Sequence, residues 1–386
     1  MNKRNYYLLC LIVFLQGFVF YGPFAFVYRQ SRGLFASNIF IIETVFLAVS
    51  MLMEIPFGYI SDKFGYKKTL IISNFLFFIS KIVFYKSYSL YGFLIERILL
   101  AISFAGLSGC DTSMLYKSVS KDNSYKAFSK YNLSSQIGVF LGFLLSGFIV
   151  KISLDSTALF TIFPYFIAFL LTLFLNDVDY EKENLSFLIT FKEAFVSKKF
   201  TLLILAIGIF KELIMYLTVF LSQIKYTNIG IDLKYFGLLT LSLQFFRILA
   251  AKISGHIKNN QYKIIISIMI FSIISVILLA FNTNIYIVIG LIMILGFNHS
   301  FVIPIFIDIQ NKNIKTDNRA TILSINSMIV SLALLPINPV IGFITDTSLS
   351  YAFLFVAFVF IICLSVVIYY SKNIIKKEKS NANKTK

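Results

Sequence analysis

Within stretches built almost wholly of Ile, Leu, Val and Phe stand Gln16, Glu43, Arg97, Lys211, Glu212, Arg247, Asn298 and His299. A charge held at the centre of a hydrocarbon layer costs at least about 2.5 kcal/mol even on lenient scales, so each must face protein or a water-filled cavity. The chemistry open to such groups is ion pairing, recognition of an ionic solute, and proton exchange. Arg97 lies about nine residues into its apolar run, roughly 13 Å deep at ~1.5 Å per residue. It can lock helices together through Glu96 or Glu43, or it can contact an anionic solute or join a proton-linked pair. Lys211 and Glu212 are adjacent, about 100° apart around a helix, so one is expected to pair elsewhere, with Arg247 the natural choice. Glu212, with Tyr216 one turn on, is then the group expected to face a cavity. The reference pKa of His299, about 6.5, suits proton carriage, although a lone intramembrane His also serves as a plain helix–helix hydrogen bond.

A second polar group stands between two apolar runs. Gly58 to Leu70 reads G-Y-I-S-D-K-F-G-Y-K-K-T-L. With Asp62, Lys63, Lys67 and Lys68 it is expected to be a loop in water at a membrane face, Gly58 and Gly65 making its turns.

The elements that position these residues follow from composition. The chain has 386 residues, 58% of them hydrophobic and 14% charged, with mean hydropathy +0.83. Soluble chains carry about 25% charge, so the class is an all-α integral membrane protein. The net charge of +17 is spread over short loops, not gathered on one face, which excludes a nucleic-acid binder. Without a G-x-x-x-x-G-K-[ST] phosphate loop, His/Cys metal spacing or a nucleophile elbow, the sequence points away from ATP-driven transport, metals, cofactors and enzymatic chemistry. Cys10, Cys110 and Cys363 fall in apolar runs and read as small hydrophobes.

Apolar runs long enough to span lie near 5–28, 37–60, 68–86, 89–118, 131–152 and 156–176, and again near 200–224, 234–256, 263–282, 285–309, 319–344 and 350–371. They predict twelve transmembrane helices in two pseudo-symmetric bundles of six, residues 1–175 and 200–372. A linker, 176–199, carries an amphipathic stretch, and 373–386 forms a basic tail. Most of the Lys and Arg fall on the side of the termini, whereas Arg29, Arg32, Lys86, Lys151, Lys225 and Lys234 fall on the other. The positive-inside rule makes both termini cytoplasmic. An offset near 195 aligns Tyr66–Lys67 with Tyr262–Lys263 and Lys121–Ala127 with Lys315–Ala320, as an internal repeat would.

Gly58, Asp62, Gly65, Lys67 and Lys68 resemble the loop signature G-x-L-A-D-R-x-G-R-K of the major facilitator superfamily (MFS) of secondary transporters. Lys63 and Tyr66 stand where that signature has Arg. Arg97 resembles the Arg of the family's R-x-x-Q-G, with Leu100 and Ala101 replacing Gln and Gly. Glu54–Gly58, Ser108–Tyr116 and Arg319–Ser324 resemble a bacterial, efflux-type or uncharacterised subgroup. The resemblance implies secondary transport of a small organic solute by alternating access, coupled to protons and directed outward. It also implies a bilayer of the bacterial inner membrane as surroundings and a chain that functions as a monomer. Uptake symport, uniport, or a transport-dead receptor or scaffold are the alternatives.

By the same resemblance, Asp62, Gly58, Gly65, Lys67, Lys68, Glu54, Asp111 and Arg319 belong to a cytoplasmic gate. Asp62 would latch it in one conformation, and Asp111, on nearly the face of Arg97, would tie it to the cavity. Arg97, Gln16, Glu43, Glu212, Lys211, Tyr216, Arg247, Asn298 and His299 serve the substrate or the proton. Gly138 and Gly142 fit the opening of the drug–proton antiporters' G-x-x-x-G-P-x-x-G-G. Phe143 replaces its Pro, so with Gly147 these residues read as close-packing glycines.

Overall fold

The computed structural model describes residues 3–108, 110–119, 124–178, 198–254, 260–313 and 319–382. The linker at 179–197 and the side chains of Glu54, Asp62 and Arg319 lie outside the described residues. All regular structure among the described residues is helical, as a bilayer demands of a chain whose backbone must satisfy its own hydrogen bonds.

The helices are α1 (Lys3–Gln16), α2 (Ala25–Ser31), α3 (Ala36–Phe64), α4 (Tyr66–Lys86), α5 (Leu90–Leu107), α6 (Cys110–Ser118), α7 (Ser124–Ile149) and α8 (Leu154–Leu173). There follow α9 (Lys198–Tyr216), α10 (Ser222–Asn228), α11 (Phe236–Ser254), α12 (Gln261–Phe281), α13 (Ile285–Asn313), α14 (Arg319–Thr347) and α15 (Leu349–Ala382). Among the described residues, eleven spans are long and apolar enough to cross a membrane. The broken first segment, α1 with α2, is the twelfth.

The chain divides into two compact units. One comprises Met1–Asn184 with Asp232–Leu241; the other comprises Leu185–Ile231 with Ser242–Lys386. In the first unit α4 packs on α5 and α8, α3 on α5, and α1 on α7. In the second, α12 packs on α13 and α15, and α9 on α13, α14 and α15. The pairs α4·α5, α4·α8 and α1·α7 correspond in span order to α12·α13, α12·α15 and α9·α14, so the halves share this part of their packing, whereas α3·α5 has no counterpart of similar extent.

Two expectations change. The run at 5–28 is not one helix. It stops at Gln16 and resumes through a short 3₁₀ turn, Gly22–Phe24, into α2, because Pro23 has no N–H to give and Gly17 is a weak helix former. The backbone groups freed by the break are satisfied from α8: Phe20 N donates to Thr161 Oγ1 (3.0 Å), and Tyr165 OH donates to the carbonyl of Gln16 (2.7 Å). Likewise, residues 58–70 are not a loop. Helix α3 runs to Phe64, Gly58 included, and α4 starts at Tyr66. Gly65 alone makes the turn, at φ 84°, which an L side chain rarely adopts.

Glycines also bring α7 close to α1 in the first unit. A Cβ on Gly138 would run into the Phe14 carbonyl, and one on Gly142 would lie 2.9 Å from that of Gly17. Gly147 faces the Lys234 carbonyl at 3.0 Å. Close packing is therefore the job of all three.

Candidate functional site

The break after Gln16 has a consequence for the chemistry, since it turns Tyr21 and Arg29 into the first bundle. Arg29, expected on the outer surface, has 0% exposure. Its Nη1 donates to Glu43 Oε1 (3.0 Å), and Arg97 Nη2 donates to the same oxygen (2.6 Å). Glu96, also at 0% exposure, places Oε2 3.7 Å from Arg29 Nη2 and 3.6 Å from Arg97 Nε, ion-pair contacts without hydrogen bonds. Lys81 is buried on α4, its Nζ donating to Tyr21 OH (3.0 Å) and lying 4.7 Å from the ring centres of Phe77 and Tyr165. Arg29 sits over Phe84 and Phe93 at 5.5 and 5.7 Å.

These groups form one layer. Glu43 is seven residues into α3, Glu96 six into α5, and Lys81 five from the end of α4, so the layer lies about 8–11 Å below those helix ends. Three basic side chains meet two acidic ones in a largely buried layer. An arrangement of this kind is held by mutual pairing and collapses when one partner is removed. Of its members the sequence pointed to Arg97 and Glu43. Arg29 was masked by its place at the end of an apolar run, Lys81 had no assigned partner, and Glu96 figured only as a lock for Arg97.

Gln16 belongs to a neighbouring polar group. Its Nε2 donates to Asn74 Oδ1 (2.6 Å), and both line a small cavity with Asp111 and Tyr131. The cavity holds about 20 Å³, room for one water among polar groups. Asp111 Oδ2 accepts from Tyr131 OH at 2.5 Å. Helix α5 ends at Leu107, with Ser108 leaving the helical conformation at ψ 117°, and Asp111 stands in the first turn of α6. Lys67 is half-buried and Lys68 exposed.

In the second unit a π-helical turn, Leu217–Leu221, separates α9 from α10. Such turns commonly mark functional sites. The expected pairing there is overturned: Lys211 Nζ meets Glu212 Oε1 at 2.6 Å, and Arg247 Nη2 instead donates to Thr218 Oγ1 (2.7 Å) within the π turn. Long flexible stems bridge the angle that separates adjacent residues on a helix. Tyr216 is 6% exposed, and its hydroxyl accepts from Asn338 Nδ2 (2.9 Å). Asn298 Nδ2 donates to Ser272 Oγ (2.9 Å). His299 is half-buried with Nδ1 unpartnered, and its charged neighbours are Arg247 and Lys211. Lys225, expected in an outer loop, is 6% exposed on α10. Among the described residues no cluster of His, Cys, Asp or Glu could hold a metal ion.

Two units of membrane-spanning helices, the first with charged side chains paired in its interior, suit a membrane transporter. The Major Facilitator Superfamily profile matches residues 7–337, and the chain belongs to that family. Two curated relatives, both from Buchnera aphidicola, are described as uncharacterised transporters. They are 31% identical over 120 and 100 residues, which cover 31% and 26% of this chain and only 29% and 25% of theirs. Solved structures share the fold at low identity. A variant of the nucleoside transporter NupG superposes with TM-score 0.80 at 13% identity, covering 95% of this chain and 99% of that one. A bacterial homologue of the lysosomal transporter Spinster gives 0.76 at 14%, with 97% and 98% covered. A D-xylose–proton symporter gives 0.72 at 13%, with 95% and 97% covered.

Proposed function

We propose that the chain is a proton-coupled secondary transporter that exports a small organic solute by alternating access, acting as a monomer in a bacterial inner membrane with both termini cytoplasmic. The observation that carries this reading is the Arg29–Glu43–Arg97–Glu96 cluster. A scaffold with the same fold gains nothing from burying four charges, whereas a transporter needs groups whose pairing changes with proton or solute. Outward direction is supported by the resemblance of Glu54–Gly58, Ser108–Tyr116 and Arg319–Ser324 to efflux-type members. The placement of basic residues supports the orientation more strongly than the sequence alone did, since Arg29 and Lys225 leave the outer surface for buried positions. Asp62, beside the Gly65 turn, is the proposed latch of the cytoplasmic gate. At 13–14% identity the structural neighbours share the fold, and the solutes in their names do not transfer.

The test is proton flux in inverted membrane vesicles against a panel of drugs, sugars and metabolites. A compound that collapses the pH gradient with wild type, and fails to do so with Arg97→Ala and Asp62→Asn, is the expected result. Abundant folded protein that moves solute at a rate indifferent to pH and potential would replace the reading with facilitated diffusion.

A further inference from the structure

Lys81 is the one member of the charged layer whose pairing differs in kind. Glu43 receives two guanidinium hydrogen bonds, and Glu96 lies between the same two arginines. Among the described residues no carboxylate oxygen comes within ion-pair distance of Lys81 Nζ, and its hydrogen bond goes to a phenol, Tyr21 OH. Every element packed around it contributes to the balance: α2 brings Arg29, α3 Glu43, α5 Glu96 and Arg97, the break before α2 Tyr21, and α8 Tyr165. Arginine keeps its charge throughout the working pH range, so the two arginines and two carboxylates sum to zero. The layer is therefore neutral with Lys81 as an amine and carries one positive charge with Lys81 as an ammonium.

The site is built for both forms. Phe77 and Tyr165 present ring faces at 4.7 Å, a setting that accepts an ammonium by cation–π attraction. The Tyr21 hydroxyl can accept from the ammonium, or donate to the amine lone pair. Unlike arginine, a buried lysine can gain and lose a proton.

We propose that Lys81 is the proton-carrying residue of the transport cycle, its Nζ lone pair taking up one proton and releasing it again, with Tyr21 as the positioning residue. This rests on the proton-coupled reading above. No redox change or further co-reactant is involved; the proton comes from water on one side and returns to water on the other.

Two measurements test it. In detergent and without solute, proton uptake on passing from alkaline to neutral pH is compared for wild type, Lys81→Arg and Lys81→Gln. Wild type should take up one proton more per chain than either variant, and equal uptake overturns the proposal. In vesicles, with a compound that the wild type couples to protons, Lys81→Arg should lose its response to an imposed pH gradient even though it keeps charge and length. A pH-driven Lys81→Arg would equally overturn it. Should the wild type couple no compound to protons, the functional reading fails, while the solute-free titration still decides whether Lys81 exchanges a proton.

Discussion

One carboxylate oxygen holds the first bundle's charged layer together. Glu43 Oε1 accepts from both Arg29 and Arg97, so replacing Glu43 strands two buried guanidiniums at once. Removing one partner of a buried pair typically costs about 3–5 kcal/mol. Glu43→Gln should therefore lower the unfolding temperature in detergent markedly more than Glu96→Gln, whose carboxylate makes no hydrogen bond among the described residues. Equal shifts would show that the layer is held by charge alone and not by this shared contact. Much of this chemistry was legible in the sequence, because Arg97, Glu43, Lys211 and Glu212 interrupt apolar runs and leave no other reading than a functional or pairing role. The pairing of Arg97 with Glu43 and Glu96 was legible too, whereas the parts of Arg29 and Lys81 were not. Arg29, and the Tyr21 hydroxyl that meets Lys81, follow the break after Gln16, a tertiary event in which α8 side chains take over freed backbone groups. The Lys211–Glu212 contact escaped a face-by-face argument because side-chain length outweighs helical phase.

The apolar runs located the spanning elements well, since a bilayer enforces length and hydrophobicity together. Their interruptions were less visible. The helix through Gly58 and Asp62 shows that polar residues at the watery end of a span do not by themselves end it; Gly65 does, by its backbone angle. The glycines of α7 act through space and not through flexibility. Gly138→Ala should separate α1 from α7 and reduce both yield and unfolding temperature, since the new methyl meets a backbone carbonyl that cannot rotate away. Gly290→Ala is the matched control, for nothing lies within 4 Å of its added Cβ, and it should be neutral or slightly stabilising. A Gly138→Ala protein as stable as the control would mean that α1 can shift freely on α7.

At the scale of the molecule, the two halves share part of a packing plan but not a charge plan. The first concentrates five ionisable groups in one layer; the second distributes Lys211, Glu212, Arg247 and His299 around a π turn. On the proposed reading, the first half handles the proton and the second the solute. Arg247→Ala should then weaken solute affinity about tenfold or more, the loss of roughly one charge-assisted hydrogen bond, while solute-free proton uptake stays as in wild type. A change in proton uptake with unaltered solute affinity would reverse the assignment. The most direct test of the whole scheme is the pH-gradient collapse driven by a transported compound, recorded for wild type and Glu43→Gln at equal levels of folded protein. Coupling through the first unit's charged layer predicts rapid collapse with wild type and at least a tenfold slower response with Glu43→Gln. Collapse at the wild-type rate in Glu43→Gln would show that the proton moves without that layer.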